Sequence, residues 1–171
     1  MVTADLNPVE ELLARERIRD TLARYSRGVD RCDAELLKSV YHPEALDLHG
    51  SVDGPASDYA DYLLEKMMNG PVATHHLLGH SCIEFGSADS AHVETYFVAR
   101  HLEEDSEGER VDSAGGRYCD DFALRDGAWK IQRRTVVVDW NLVSRGVMPF
   151  PGSDKFRRGV RSHDDPGYAQ N

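Results

Sequence analysis

Four residues of the chain could together move a proton: Tyr25, Asp30, His76 and Arg134. The first two lie near the end of a predicted amphipathic helix, the third on a short predicted strand, and the fourth shortly after Trp129 on the last predicted strand. A hydroxyl, a carboxylate, an imidazole and a guanidinium supply the groups that acid–base chemistry needs without a cofactor. They can meet only if the helix packs against the sheet, and the pattern then favours an elimination or an isomerisation.

His76 is the candidate general base, because imidazole has an unperturbed pKa of about 6.5, close to working pH. A carboxylate on the far ring nitrogen would fix the tautomer and stabilise the imidazolium, and Asp30 is the candidate for that role. The alternative is that His76 is a semi-buried strand residue without a function. Asp30 could then cap the next helix or pair with Arg27 or Arg31.

Tyr25 lies on the apolar stripe of the first helix, so it could be a core residue as well as a donor to a leaving hydroxyl or a carbonyl. Three other tyrosines compete for the donor role and are expected near the substrate: Tyr41, Tyr96 and Tyr118. Tyr118 is the best of these, because Gly116 shares its predicted face and would leave room for a ligand.

Arg134 is a charged residue among valines late in a strand, a costly position unless it is paired or faces a polar cavity. It could stabilise a leaving group or an enolate oxygen. It could instead form an ion pair with Asp120 or Asp121 on the adjacent strand. Trp140 follows near the end of the same strand and is expected at the mouth of the pocket.

Strand alternation places four side chains on one face: His76, Leu78, His80 and Cys82. His80 is therefore expected in the substrate pocket. The histidines resemble a metal-ligand cluster, but His75 points to the opposite face, and His76 and His80 are about two strand repeats apart. The sequence also has no zinc-ligand spacing and no Gly-rich phosphate loop. No metal and no cofactor are expected.

Three helices and a run of strands must position these residues. Asn7-Pro8 followed by Glu10 predicts the start of the first helix, with an Asn N-cap, a Pro at the first helical position and a capping-box acid. Asp33 and Ser57 are expected to cap two further helices, the first of which ends at His42-Pro43. After a strand over 45–49, period-two alternation predicts four long strands, at about 74–85, 91–103, 115–125 and 128–140.

This order predicts an α+β domain in which a cone-shaped, curved antiparallel sheet is covered by the N-terminal helices, with a pocket between them. Turns are expected at 87–89 and 125–127, and the acidic, Gly-rich stretch 103–116 is expected to be a long exposed loop. Residues 1–142 are predicted to form the domain. Residues 143–171 are predicted to form an irregular tail that closes the pocket mouth or lies on a neighbouring subunit.

The composition narrows the possible partners. With 30 acidic and 20 basic residues among 171, the formal net charge of -10 disfavours nucleic acid and anionic membrane surfaces. No apolar run approaches a membrane span and no signal pattern precedes the first helix, so a cytoplasmic protein is expected. The three cysteines have no CxxC spacing and are expected to be reduced.

Three segments carry a family resemblance: Tyr25-Ser-Arg-Gly-Val-Asp30, His76-x-x-x-His80-x-x-Ile83-Glu84, and Gly116-Arg117-Tyr118 followed by Arg125-Asp126-Gly127-Ala128-Trp129-Lys130-Ile131. Together they resemble the SnoaL-like group of the nuclear-transport-factor-2-like superfamily, over roughly residues 8–142. The resemblance implies a cone-shaped α+β barrel and a homo-oligomer, most often a trimer.

The pattern is most similar to cofactor-independent lyases of that superfamily, which include scytalone dehydratase, bile acid 7α-dehydratase and hexachlorocyclohexane dehydrochlorinase. In these a strand histidine, oriented by a helix-end aspartate, removes a proton, which implies those roles for His76 and Asp30. The resemblance also matches Tyr25 to a dehydratase tyrosine, Arg134 to a dehydrochlorinase arginine, and His101 to a second histidine in scytalone dehydratase.

The sequence thus predicts a cofactor-free lyase, most of all a dehydratase, acting on a hydrophobic ring-bearing molecule such as an aromatic, polyketide, terpenoid or steroid. An isomerase, a cyclase or a formaldehyde-releasing carbon–carbon lyase on a lignin-derived diaryl compound could use the same site. A non-catalytic ligand-binding domain or a dioxygenase small subunit is an alternative of a different class. Beyond the catalytic four, substrate contacts are expected from Tyr41, His80, Tyr96, His101, Tyr118 and Trp140.

Overall fold

Three helices precede the long strands along the chain, as the sequence pattern predicts. The computed structural model describes residues 6–50, 52–146 and 149–168. The helices are α1 (Pro8–Arg31), α2 (Ala34–Ser39) and α3 (Ala56–Asn69). The strands are β1 (Tyr41–Leu48), β2 (Asp53–Pro55), β3 (Ala73–Ser87), β4 (Ser90–Asp105), β5 (Gly108–Arg125) and β6 (Ala128–Arg145), and a short 3-10 helix follows at Ser153–Lys155.

The first helix begins with the predicted capping box. The Asn7 side chain accepts hydrogen bonds from the backbone N–H groups of Val9 and Glu10, and the Glu10 carboxylate accepts one from the N–H of Asn7. One face of α1 is buried along its length: Ala14, Ile18, Leu22, Tyr25 and Val29. The helix thus places Tyr25 against the sheet and leaves Asp30 at its C-terminal end.

The six strands form one mixed, curved sheet that does not close, in the order β2-β1-β6-β5-β4-β3. The helices cover one face of this sheet, which confirms the predicted α+β layout. The long strands are antiparallel, with the predicted turns at residues 88–89 and 126–127. One pair is parallel: β1 and β6, the first and last strands of the domain, lie side by side and run in the same direction.

The stretch 103–116 is not a loop, contrary to the expectation from its charge. Strands β4 and β5 continue through it and are joined by a turn at residues 106–107. Its charged side chains form ion pairs, since Asp105 binds both Arg110 and Arg145. Paired charges on a solvent-exposed ribbon therefore produced a pattern that is typical of a loop.

Two smaller expectations also fail. The first strand was predicted over 45–49, but β1 already begins at Tyr41. Pro43 favours an extended backbone at His42, so the chain enters the strand before the proline. Ser57 does not cap α3, which begins at Ala56 after Pro55 and has no side-chain cap. Within the described residues, no helix has the length and apolar character needed to span a membrane.

The C-terminal segment packs on the end of α1. Asp165 pairs with Arg31, with 3.3 Å between Oδ2 and Nε, and Asp33 accepts a hydrogen bond of 2.9 Å from His163. Part of the predicted tail lies outside the described residues, namely 147, 148 and 169–171. Within the described part, Arg161, His163, Asp165 and Gly167 contact residues of the same chain.

Candidate active site

His76 and Asp30 are joined by two hydrogen bonds. The Asp30 carboxylate accepts from the ring Nδ1 of His76 at 2.7 Å and from its backbone N–H at 3.0 Å. Arg31 instead donates to the backbone carbonyl of Asp30, and Arg27 donates to that of Gly167. The Asp30 carboxylate, which could have formed a surface ion pair or capped a helix, is thus bonded to His76, the candidate base.

The protonation of this pair follows from its surroundings. Burial alone would raise the pKa of Asp30, but the hydrogen bonds from His76 and its electrostatic effect outweigh burial and hold the pKa below its usual value. An ionised carboxylate only accepts hydrogen bonds, so Nδ1 of His76 carries the proton. Within the described part of the chain, Nε2 of His76 makes no hydrogen bond.

A cavity of about 470 Å³ lies beside His76, and we call it the His76 cavity. Helix α1 and strand β3 form its walls. The lining residues are Arg19, Leu22, Ala23, Ser26, His76, Leu78, Gly79, His80 and Ser81. Carbon atoms of leucine and alanine side chains therefore flank two imidazoles, two hydroxyls and a guanidinium.

The predicted face of β3 is correct only as far as Leu78. A bulge between Leu78 and Ser81 shifts the pairing with β4, so Ser81 turns inward and its hydroxyl lies 2.9 Å from that of Thr95. His80 and Cys82 are exposed as a result. His80 borders the His76 cavity from the rim and does not continue the inward row of His76.

His101 lies on the inner face of β4, with its ring centroid 5.6 Å from that of His76. Its Nε2 is buried and has no partner among the described residues. Burial lowers the pKa of His101 to about 4, and the electrostatic effects of His76 and Lys66 act in the same direction. His101 is thus a neutral imidazole at neutral pH with one ring nitrogen available.

This geometry predicts how pH affects stability. Because the folded pKa of His101 is about 4 and the unfolded one about 6.5, the unfolded state binds more protons between these values. As the pH is lowered across this window, the free energy of unfolding of the wild type should therefore decrease by about 2–3 kcal/mol more than that of His101→Gln. Urea unfolding at several pH values measures the difference. The exposed His75→Gln variant is the control, and parallel curves for wild type and His101→Gln would contradict the prediction.

Tyr25 and Arg134 lie in a separate buried cluster. The Arg134 guanidinium is fully buried, donates to both oxygens of Asp120 at 2.8 and 2.7 Å, and lies 4.0 Å from the ring centroid of Tyr25 and 4.1 Å from that of Tyr118. The ion pair with Asp120 is thus present, whereas Asp121 is exposed. The Nη1 atom of Arg134 is buried without a partner among the described residues.

The charges of this cluster are set by its burial. Burial raises the pKa of Tyr25 to about 12, so the phenol is a neutral donor at neutral pH. Burial would lower the pKa of Arg134, but Asp120 and the surrounding phenols raise it well above its usual value. The cluster therefore holds a permanent cation with one unused donor.

A buried carboxylate that is not among the predicted site residues, Asp47, lies next to this cluster. Asp47 is fully buried and accepts from the Tyr41 hydroxyl at 2.7 Å and from Nδ1 of His49 at 2.8 Å. Tyr41 is thus engaged with Asp47. Strand alternation places Asp47 on the same face as Ala45, so its face could be predicted from the sequence, although its burial and its partners could not.

Tyr96 and Trp140 lie on the outer face of the sheet, away from His76. Tyr96 is 55% exposed, because it alternates with the inward Phe97. Trp140 changes face because of a bulge at Gly115 and Gly116, and its indole lies over Gly115. Neither aromatic residue shares the inner face with the candidate base.

Gly116 was expected to leave room for a ligand, but the space beside it is filled by the backbone of β6. A Cβ atom at this position would lie 2.0 Å from the carbonyl oxygen of Val137, so the glycine permits the close approach of β6 at the bulge. Tyr118, predicted as a substrate contact, is buried, and its ring stacks on Phe97 with 4.3 Å between centroids.

No group of three His, Cys, Asp or Glu side chains within residues 6–50, 52–146 and 149–168 is arranged to hold a metal ion. The arrangement offers instead a histidine–aspartate pair, a second neutral histidine and a buried cation. These groups can accept a proton from a bound molecule and stabilise negative charge.

Solved structures with the same fold include two dehydrochlorinases. A hexachlorocyclohexane dehydrochlorinase (LinA) type 2 has a TM-score of 0.75 and 21% identity, over 85% of this chain and 99% of that chain. LinA-type3 from Novosphingobium barchaimii has a TM-score of 0.74 and 20% identity, over 85% and 99%. These structures show that the chain has the same cone-shaped α+β fold.

A scytalone dehydratase-like protein from Novosphingobium aromaticivorans is also similar, with a TM-score of 0.72 and 21% identity over 85% of this chain and 98% of that chain. None of the curated proteins that were compared matches the sequence significantly. The family model of the SnoaL-like domain matches residues 10–135, which include all four residues of the predicted catalytic set. The chain belongs to the SnoaL-like domain family.

Proposed function

We propose that this protein is a lyase in which His76 removes a proton from carbon and a neighbouring group leaves, as in a dehydratase. The observation that supports this most is the His76–Asp30 pair. One ring nitrogen is held at 2.7 Å by an ionised carboxylate, and the other makes no hydrogen bond within the described residues, at the wall of a cavity. This is the arrangement that a general base needs.

The first step follows from the tautomer of His76. With the proton on Nδ1, the lone pair of Nε2 accepts a proton from an acidic C–H bond of the substrate. The imidazolium that forms is stabilised by Asp30, whose own pKa is held low and which remains ionised. Asp30 is a positioning residue in this scheme, and the catalytic contact is made by His76.

The negative charge that develops on the leaving group or on a substrate oxygen needs hydrogen-bond donors to stabilise it. Among the residues that line the His76 cavity, Arg19 and Ser26 carry such donors, and we assign the role to them. Tyr25 and Arg134, which the sequence predicted for this role, lie in the separate buried cluster and do not line the cavity. The neutral His101, on the same inner face as His76, is the proposed further contact to the substrate.

The substrate class follows from the His76 cavity. Its volume of about 470 Å³ lies in the range of small-molecule sites. Leu22, Ala23 and Leu78 supply apolar walls, and Ser26 supplies a hydroxyl. We therefore propose a hydrophobic, ring-bearing substrate. An isomerase or a cyclase would begin with the same proton transfer and differ in the fate of the carbanion. In a formaldehyde-releasing carbon–carbon lyase His76 would instead take the proton of a substrate hydroxyl, and the carbanion would form as the carbon–carbon bond breaks.

The test uses isotope exchange, which detects proton removal whatever follows it. Ring-bearing alcohols, halides and β-hydroxy carbonyl compounds would first be selected for binding by the shift of the His76 ring signals in NMR spectra. Each binder is then incubated with the protein in D₂O. We expect deuterium at the acidic carbon, or loss of water or halide, for at least one binder. Binders with acidic C–H bonds that show neither would refute the lyase proposal and favour a ligand-binding domain.

A further inference from the structure

A second cavity, of about 750 Å³, lies at the C-terminal end of α1. The outer face of the sheet forms one wall and the C-terminal segment another. Its charged lining consists of Asp30, Arg31, His75, Arg100, Arg158 and Arg161. We call this space the arginine cavity. It is separate from the His76 cavity, with which it shares none of its lining residues.

The charge of the arginine cavity is opposite to that of the whole protein. The chain carries a formal net charge of -10, yet four arginines and a histidine meet here with a single carboxylate. That carboxylate, Asp30, already accepts two hydrogen bonds from His76. The cavity is therefore locally electropositive in an acidic protein, which attracts small anions from solution.

Several of these guanidinium groups have donors to spare. Arg100 and Arg158 make no hydrogen bond or ion pair with any described residue. Arg161 donates through Nη1 to the carbonyl of Met67, while its Nη2 is buried and has no partner in the described part of the chain. Arg31 is already paired with Asp165. A buried donor without an acceptor is costly, and a bound oxyanion would satisfy it.

The remaining wall is apolar. It is formed by Val72, Leu102, Val111, Trp140 and Leu142, of which Trp140 is the largest. The Trp140 indole lies close against the strand because residue 115 is glycine: a Cβ atom there would lie 2.2 Å from the ring. A flat aromatic surface next to planar guanidinium groups suits a ligand that has an apolar body and a charged end.

We propose that the arginine cavity binds an organic carboxylate with an apolar ring or chain, the carboxylate on Arg100, Arg158 and Arg161 and the apolar body on Trp140. The ionised Asp30 in the same wall favours a singly charged carboxylate over a doubly charged phosphate. This site shares Asp30 with the proposed catalytic pair, but the residues proposed to bind its ligand, Arg100, Arg158, Arg161 and Trp140, do not line the His76 cavity.

The first measurement compares a matched pair of probes by calorimetry: 4-phenylbutyrate and the uncharged 4-phenylbutanol. We expect the acid to bind at least tenfold more tightly, and its affinity to fall as salt screens the arginines. In the Arg100→Gln/Arg158→Gln variant the affinity for the acid should fall at least tenfold. The control Arg17→Gln/Arg133→Gln removes two exposed arginines outside the cavity and should change affinity less than twofold.

A second measurement locates the ligand. The chain has two tryptophans, and Trp129 is buried in the core against Phe85. The acid should therefore change the emission of the wild type and not that of Trp140→Phe. The proposal is overturned if acid and alcohol bind equally, or if both arginine variants behave alike. It is also overturned if His76→Asn, and not the arginine variant, loses binding, because the ligand would then lie in the His76 cavity.

Discussion

Replacing His76 with asparagine is expected to lower turnover of a verified substrate by about a thousandfold, since general base catalysis contributes about 10²–10⁴ to a rate. The asparagine side chain can still donate a hydrogen bond to the Asp30 carboxylate, so the helix end should remain in place. What the variant lacks is the basic nitrogen. Single-turnover kinetics with the wild type and the variant at saturating substrate measure the effect on the chemical step.

Two further variants separate this role from a general loss of structure. In Asp30→Asn, the amide can still bond to the ring but no longer fixes the tautomer or stabilises the imidazolium, so turnover should also fall by orders of magnitude. His75→Asn changes the neighbouring residue on the outer face and should leave turnover within about twofold. Unimpaired turnover in His76→Asn would eliminate the proposed mechanism.

Replacing Arg134 with methionine is expected to lower the free energy of unfolding by about 3–5 kcal/mol. Arg134 and Asp120 are both fully buried and share two hydrogen bonds, so removal of the cation leaves an isolated carboxylate in the core. The rings of Tyr25 and Tyr118 would also lose the guanidinium that lies about 4 Å from their centroids. Urea unfolding at pH 7 measures the loss.

The pH dependence and a double variant identify the cause. Burial already raises the pKa of Asp120, and without Arg134 it should rise further. The carboxyl is then neutral at low pH, so the loss of stability should shrink as pH falls. Arg134→Met/Asp120→Leu should recover much of the loss, because no buried charge remains. Arg133→Met, at an exposed position, is the control. A loss below about 1 kcal/mol in Arg134→Met would contradict the argument.

The sequence predicted the parts of the site that depend on regular geometry. Helix α1 follows its capping box and apolar stripe, so the expected positions of Tyr25 on the buried face and Asp30 at the helix end agree with the structure. The contact between Asp30 and His76 could be expected once the helix was taken to cover the sheet. Local signals and a single packing assumption were sufficient there.

The failures occur where local irregularity changes the side-chain direction. Period-two alternation assumes an uninterrupted strand, and the bulges near Gly79 and Gly115 reverse it, which moved His80 and Trp140 from their expected faces. The buried Asp47 was missed as a site residue for another reason, because its partners, Tyr41 and His49, could be identified only from the folded chain. The sequence contains no local signal for the pairing of bulged strands or for the partner of a buried charge.

The hydrogen bond from the backbone N–H of His76 to Asp30 also affects how the protein meets other chains. Strand β3 is an edge of the sheet, and its outward amides have no neighbouring strand within the described chain. Such an edge can pair with a strand of another molecule and begin aggregation. At His76 this amide is already occupied by the helix-end carboxylate, at 3.0 Å. The residue that orients the candidate base therefore also blocks strand addition at this point of the edge, so its loss should favour self-association.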